Sequence, residues 1–140
     1  MKQILPVSLV ILLTGCITLP SPSQEDIQAM NFEELCAHAQ DFLYEEDSRN
    51  AAYAELKVHH VTAKELRWIQ EETIAIGMTE EVLYCARGAP WDSTVRVSQY
   101  GRSKQLRYGS ESFVYLDDGK VTSWYGNPRN NTRSFSWPKD

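Results

Sequence analysis

Phe113-Val114-Tyr115-Leu116-Asp117-Asp118-Gly119-Lys120-Val121-Thr122-Ser123-Trp124 decides the fold. β-favouring residues run on both sides of an Asp-Gly pair, and Asp and Gly are the residues that tolerate the positive φ of a two-residue type I′ turn. The stretch predicts an antiparallel hairpin with Phe113 opposite Trp124, Tyr115 opposite Thr122 and Leu116 opposite Val121. In that register Val114, Leu116 and Val121 form an aliphatic side suited to helices. Phe113, Tyr115 and Trp124 form an aromatic side that stays partly open.

Upstream of the hairpin the same period of two predicts strands at 94–98 and 104–108, before 112–116 and 121–125, with Gly101, Gly109 and Asp118-Gly119 as the turns. Before Trp91 the period is helical. Phe32, Leu35, Cys36, Ala39, Phe42 and Leu43 mark one stripe, capped by Asn31 with Glu34 reaching back and Met30 and Leu35 as the staple. Acidic Glu45-Glu46-Asp47 opposes the dipole at a helix C-terminus, which places the end near Tyr44. A weaker helix is expected over 50–60, and Thr62-Ala63-Lys64-Glu65 is a second capping box, stapled by Val61 and Leu66, for a helix reaching about residue 72. Ile74-Ala75-Ile76 reads as a short β-like step ended by Gly77. Thr79 then opens a short helix stopped by Gly88 and Pro90. The expected class is α+β: two to three amino-terminal helices packed on one face of a three- to four-stranded antiparallel meander, over 31–126.

The amino terminus carries an address. The apolar run Val7-Ser8-Leu9-Val10-Ile11-Leu12-Leu13 follows Met1-Lys2 and is shorter than the roughly 20 residues of a spanning helix. Its end, Leu13-Thr14-Gly15-Cys16, resembles the lipobox of a bacterial lipoprotein. The resemblance implies a signal peptide over 1–15, a diacylglycerol on the Cys16 sulfur and an acylated new amino terminus; several acyl chains make attachment lasting where one is marginal. An ordinary secretory signal with a chance cysteine is the alternative. Residues 16–30, including Ile17-Thr18-Leu19-Pro20-Ser21-Pro22-Ser23-Gln24, read as a lipidated start and solvated tether. Ile17 rather than Asp after the cysteine implies, by the same resemblance, the outer membrane, on its periplasmic side. Residues 127–140 read as an irregular tail.

Ile74-Ala75-Ile76-Gly77-Met78-Thr79-Glu80-Glu81-Val82, closed by Gly88-Ala89-Pro90 and followed by Phe113 to Val121, resembles the SmpA/OmlA (BamE-like) family of small outer-membrane lipoproteins over about 70–125. In that family a Gly-Met-Thr step starts a helix, a Gly-x-Pro ends it, and strands follow. Cys85-Ala86-Arg87 departs from the aliphatic residues usual there, and the acidic helical stretch 25–72 has no counterpart in the short members. The resemblance therefore implies a fold and a location before it implies a shared assembly.

The net charge of −5 and pI near 5.2 argue against a nucleic-acid partner, whose footprint is basic. The charge is uneven: 24–81 holds 14 acidic and four basic side chains, 96–140 eight basic and four acidic. With Cys16 lipidated, Cys36 and Cys85 remain as an even pair in an oxidising compartment, either bridged or as two buried thiols. His59-His60 beside Glu55 and Glu65 point about 100° apart on a helix and do not converge on an ion. Cys36-Ala37-His38 invites a thiol nucleophile, but residues two apart on a helix diverge. No motif for hydrolysis, zinc or phosphate occurs, so no catalytic residue, metal, cofactor or small-molecule substrate is expected and the chain reads as a non-enzyme. Aromatic residues with arginine, here Phe113, Tyr115, Trp124 and Arg107, have the composition of protein-binding hot spots. The expected function is an envelope scaffold or accessory lipoprotein with a protein partner; the alternative is an inhibitor that inserts the loop Gly109-Ser110-Glu111 into an enzyme.

Overall fold

Three polar-x-x-acidic boxes each start a helix in the computed structural model, which describes residues 20–126. Ser23 and Asp26 open α1 (Gln24–Ala29), Asn31 and Glu34 open α2 (Phe32–Gln40), and Thr62 and Glu65 open α4 (Ala63–Gln70). In each box the cap side chain accepts the N3 amide while the N3 carboxylate accepts the cap amide, so two otherwise orphaned N–H groups are satisfied. Thr79 caps α5 (Glu80–Arg87), and Gly88, at φ 74°, stops it by adopting the left-handed backbone that a β-carbon disfavours.

Four helical expectations are corrected. The stretch read as a tether already contains α1, whose Ile27 is buried in the core. The helix expected to reach Tyr44 ends at Gln40, because the Asp41 backbone turns extended and its carboxylate accepts the Leu43 amide at 2.9 Å. Phe42 and Leu43, expected in the buried stripe, are 63% and 57% exposed. Glu45-Glu46-Asp47 does not trail that helix: Glu46 and Asp47 lie in the first turn of α3 (Glu46–Leu56), where the dipole favours them. Residues 74–76 form no strand. Instead the Gly77 amide donates to the Val121 carbonyl at 2.8 Å, Val121 donates to Met78 at 2.8 Å and Glu80 to Gly119 at 3.1 Å, so the entry to α5 is laced to the hairpin.

The strands are β1 (Asp92–Ser98), β2 (Gly101–Arg107), β3 (Phe113–Asp117) and β4 (Lys120–Tyr125), an antiparallel meander in the order β1-β2-β3-β4. Asp118 and Gly119 take φ 48° and 78°, as the hairpin turn requires. The register beyond the turn differs from the expected one. Leu116 does face Val121, but a bulge between Tyr115 and Leu116 sets Tyr115 opposite Ser123, Val114 opposite Trp124 and Phe113 opposite Tyr125. One extra residue on β4 exchanges the faces of everything after it.

The class is α+β, with five helices among the described residues rather than two or three. Leu35, Leu56, Ile69, Met78 and Leu83 from the helical half meet Leu106, Val114, Leu116 and Val121 from one face of the sheet, all nearly or fully excluded from water. Cys36 and Cys85 form a disulfide with Cα atoms 5.1 Å apart, which joins α2 to α5 inside this core. The helical layer covers β2 to β4 only: every residue of β1 is exposed.

Candidate functional site

The side of the sheet turned away from the helices is built by register. Arg107, Phe113 and Tyr125 form one row across β2, β3 and β4, Gln105, Tyr115 and Ser123 the next, and Ser103, Asp117 and Lys120 the last, with Asp92, Thr94 and Arg96 continuing the rows onto β1. A shallow depression of about 280 Å³ lies between Arg96, Gln105, Tyr115 and Thr122. The Gln105 amide donates to the Tyr115 hydroxyl at 3.4 Å and the Thr122 hydroxyl to the Tyr115 backbone carbonyl at 3.3 Å, so the ring is tied to β2 and its backbone to β4. Arg107 stands 3.9 Å from Asp92 in an open ion pair, the kind worth little in water.

Of the four residues expected at a docking face, Arg107, Phe113 and Tyr115 share this surface. Trp124 does not. Paired with Val114, it belongs to the helix side, at the sheet border and 40% exposed, and Tyr125 takes the place it was expected to hold. Tyr125 closes the strand expected over 121–125, but only the bulge reveals which of the two adjacent rings faces out.

The titratable groups in the interior serve packing. Lys104 projects to the helix side of β2, ion-pairs with Glu80, and lies 3.5 Å from the Tyr84 hydroxyl, which donates to the same carboxylate. Burial and then Glu80 hold the Tyr84 phenol protonated far above its ordinary range, so the trio pins α5 to β2 with its charges matched. His38 is buried, with Nε2 2.7 Å from the Ser48 hydroxyl and its ring centroid 4.0 Å from that of Tyr44; burial pushes its pKa down and nearby Asp41 opposes this. Cys36, two residues away, is consumed by the disulfide and offers no thiolate. His59 and His60 are exposed, and among the described residues no group of three His, Cys, Asp or Glu is placed to hold a metal ion.

At the lower border of the sheet, Gly126 closes on the loop 109–112: a β-carbon there would collide with the Glu111 carbonyl. Cys16 and the expectations for 1–15 and 127–140 lie outside the described residues. No helix among the described residues is long and apolar enough to cross a membrane. No known protein family, curated protein or solved structure matches the chain.

Proposed function

We propose that this chain is an envelope lipoprotein, held through Cys16 at the periplasmic side of the outer membrane, and that it acts as a non-enzymatic scaffold or accessory subunit. Its partner is a protein that lies on the outer sheet face. The observation that carries this reading is the row Arg107, Phe113 and Tyr125 beside Tyr115: a rigid β-surface, free of helical cover, that presents aromatic rings and a guanidinium together. The lipobox supports the address, and the resemblance of 70–125 to the SmpA/OmlA family supports the same compartment.

The clamped loop 109–112 favours a second reading, an enzyme inhibitor, since a preordered loop loses little entropy on insertion. One experiment separates the two. A photo-crosslinking residue is placed at Tyr115 or at Ser110 in the full chain and irradiated in native membranes. The scaffold reading expects an adduct from position 115 that vanishes with Arg107→Ala, whereas an adduct from 110 alone favours the inhibitor. Cys16→Ser in the same cells should abolish acylation and membrane sedimentation; normal maturation and retention on membranes would overturn the address.

A further inference from the structure

β1 is a sheet edge without the usual protection. It runs seven residues, Asp-Ser-Thr-Val-Arg-Val-Ser, with no proline, no lysine and no bulge, and its helix-side row is Ser93, Val95 and Val97. Val97 is 79% exposed, and Val95 and the preceding Trp91 are exposed too. Natural proteins blunt such edges with inward charges, prolines or bulges, because a bare edge templates pairing.

Two bonds in the neighbouring ladder show which way the β1 backbone points. Asp118 donates to the Arg102 carbonyl and Tyr108 to the Ser112 carbonyl, each at 2.8 Å, so the even-numbered residues of β2 serve β3 and the odd-numbered ones serve β1. Their partners Asp92, Thr94, Arg96 and Ser98 are thereby engaged. The amide and carbonyl groups of Ser93, Val95 and Val97 face the free edge.

We propose that this edge pairs antiparallel with β1 of a second copy of the chain, with Thr94 on the two-fold axis. That register is self-complementary on both faces. On the outer face Asp92 of each copy meets Arg96 of the other, twice by symmetry; on the helix side Ser93 meets Val95, while Trp91, whose amide donates to the Arg107 carbonyl at 2.7 Å, stays outside the new ladder. Thr94 then forms the central non-hydrogen-bonded pair, and the free groups of Ser93 and Val95 are those the new ladder uses. The neighbouring registers do worse. An axis at Val95 sets Asp92 against Ser98 and Arg96 against Thr94, leaving no charge pair, and an axis at Arg96 sets two guanidinium groups against each other. The product is an isologous dimer with one eight-stranded sheet, independent of what binds the outer face.

The test uses the full chain in mild detergent. In a non-hydrogen-bonded pair the two central Cα atoms lie about 4.5 Å apart, within disulfide reach. Thr94→Cys should therefore yield a covalent dimer whose linking peptide joins position 94 to position 94, while Val97→Cys, three residues from the axis and so far from position 97 of the other copy, should not self-link. In sedimentation velocity Arg96→Asp should weaken self-association at least tenfold, and the double exchange Asp92→Arg with Arg96→Asp should restore it. All these positions are exposed, and circular dichroism confirms that each variant is folded. A chain that stays monomeric, or that dimerises without the 94–94 link or without charge-swap rescue, overturns the proposal, as does recovery of β1 paired to a different protein.

Discussion

Val114 and Trp124 stand opposite each other across β3 and β4, although the spacing from the Asp118-Gly119 turn assigns them to different faces. The bulge that brings them together turns Trp124 to the helix side and leaves Tyr125 facing outward beside Phe113. What the two adjacent rings do should differ accordingly.

Tyr125→Ala should abolish partner crosslinking from position 115 with little change in stability, since the ring is exposed. Trp124→Ala should keep the crosslink and lower stability by roughly 1–2 kcal/mol, less than the roughly 3–5 kcal/mol of a fully buried ring. Urea titration and the membrane crosslink read the two effects apart, and a crosslink lost only with Trp124→Ala would contradict this assignment.

The Cys36–Cys85 bridge closes a segment of 49 residues, for which chain entropy assigns about 4 kcal/mol of stabilisation. Both cysteines are fully buried, so thiol labelling should fail on the native protein even with reductant present until denaturant is added. A Cys36→Ala, Cys85→Ala double variant should unfold at markedly lower urea. An unchanged midpoint would show that the helical layer holds without its cross-link.

His38 makes stability depend on pH with a defined sign. Its folded pKa lies below the ordinary imidazole value of 6.5, so between the two the unfolded chain binds more protons than the native one. Stability should fall as pH drops through about 6.5 and level off below the folded value, and His38→Asn should remove that part of the slope. A slope unchanged in the variant would exclude His38 as its source.

Tyr108 is 2% exposed, and its hydroxyl donates to the Gly88 carbonyl at 3.1 Å, tying the end of β2 to the stop of α5. Removing that donor leaves a buried carbonyl unpaired. Tyr108→Phe should therefore destabilise by roughly 1–3 kcal/mol without changing the fold, measurable as a shift in the denaturation midpoint at constant slope.

Where structure is made by residues within four positions of each other, the chain was legible. Asn31 with Glu34, Thr62 with Glu65, Thr79, Gly88 and the Asp118-Gly119 turn act as read, because capping and turn chemistry need no distant partner. Glu46 and Asp47 show the limit of such signals: a run of carboxylates between two helical patterns opposes one dipole and favours the next, and only the backbone at Asp41 settles which helix owns it.

The sequence by itself determined the α+β class, the order of helices before strands and the existence of an aromatic hairpin, since period and capping are properties of neighbours along the chain. Tertiary structure alone decided that Cys36 lies against Cys85, that Phe42 and Leu43 face water, that Tyr125 rather than Trp124 joins the outer face, and that β1 runs bare past the helical layer. These outcomes turn on how layers meet and on one inserted residue in a ladder. An alternating pattern is blind to both, because a shift of a single position leaves the pattern intact and reverses every face beyond it.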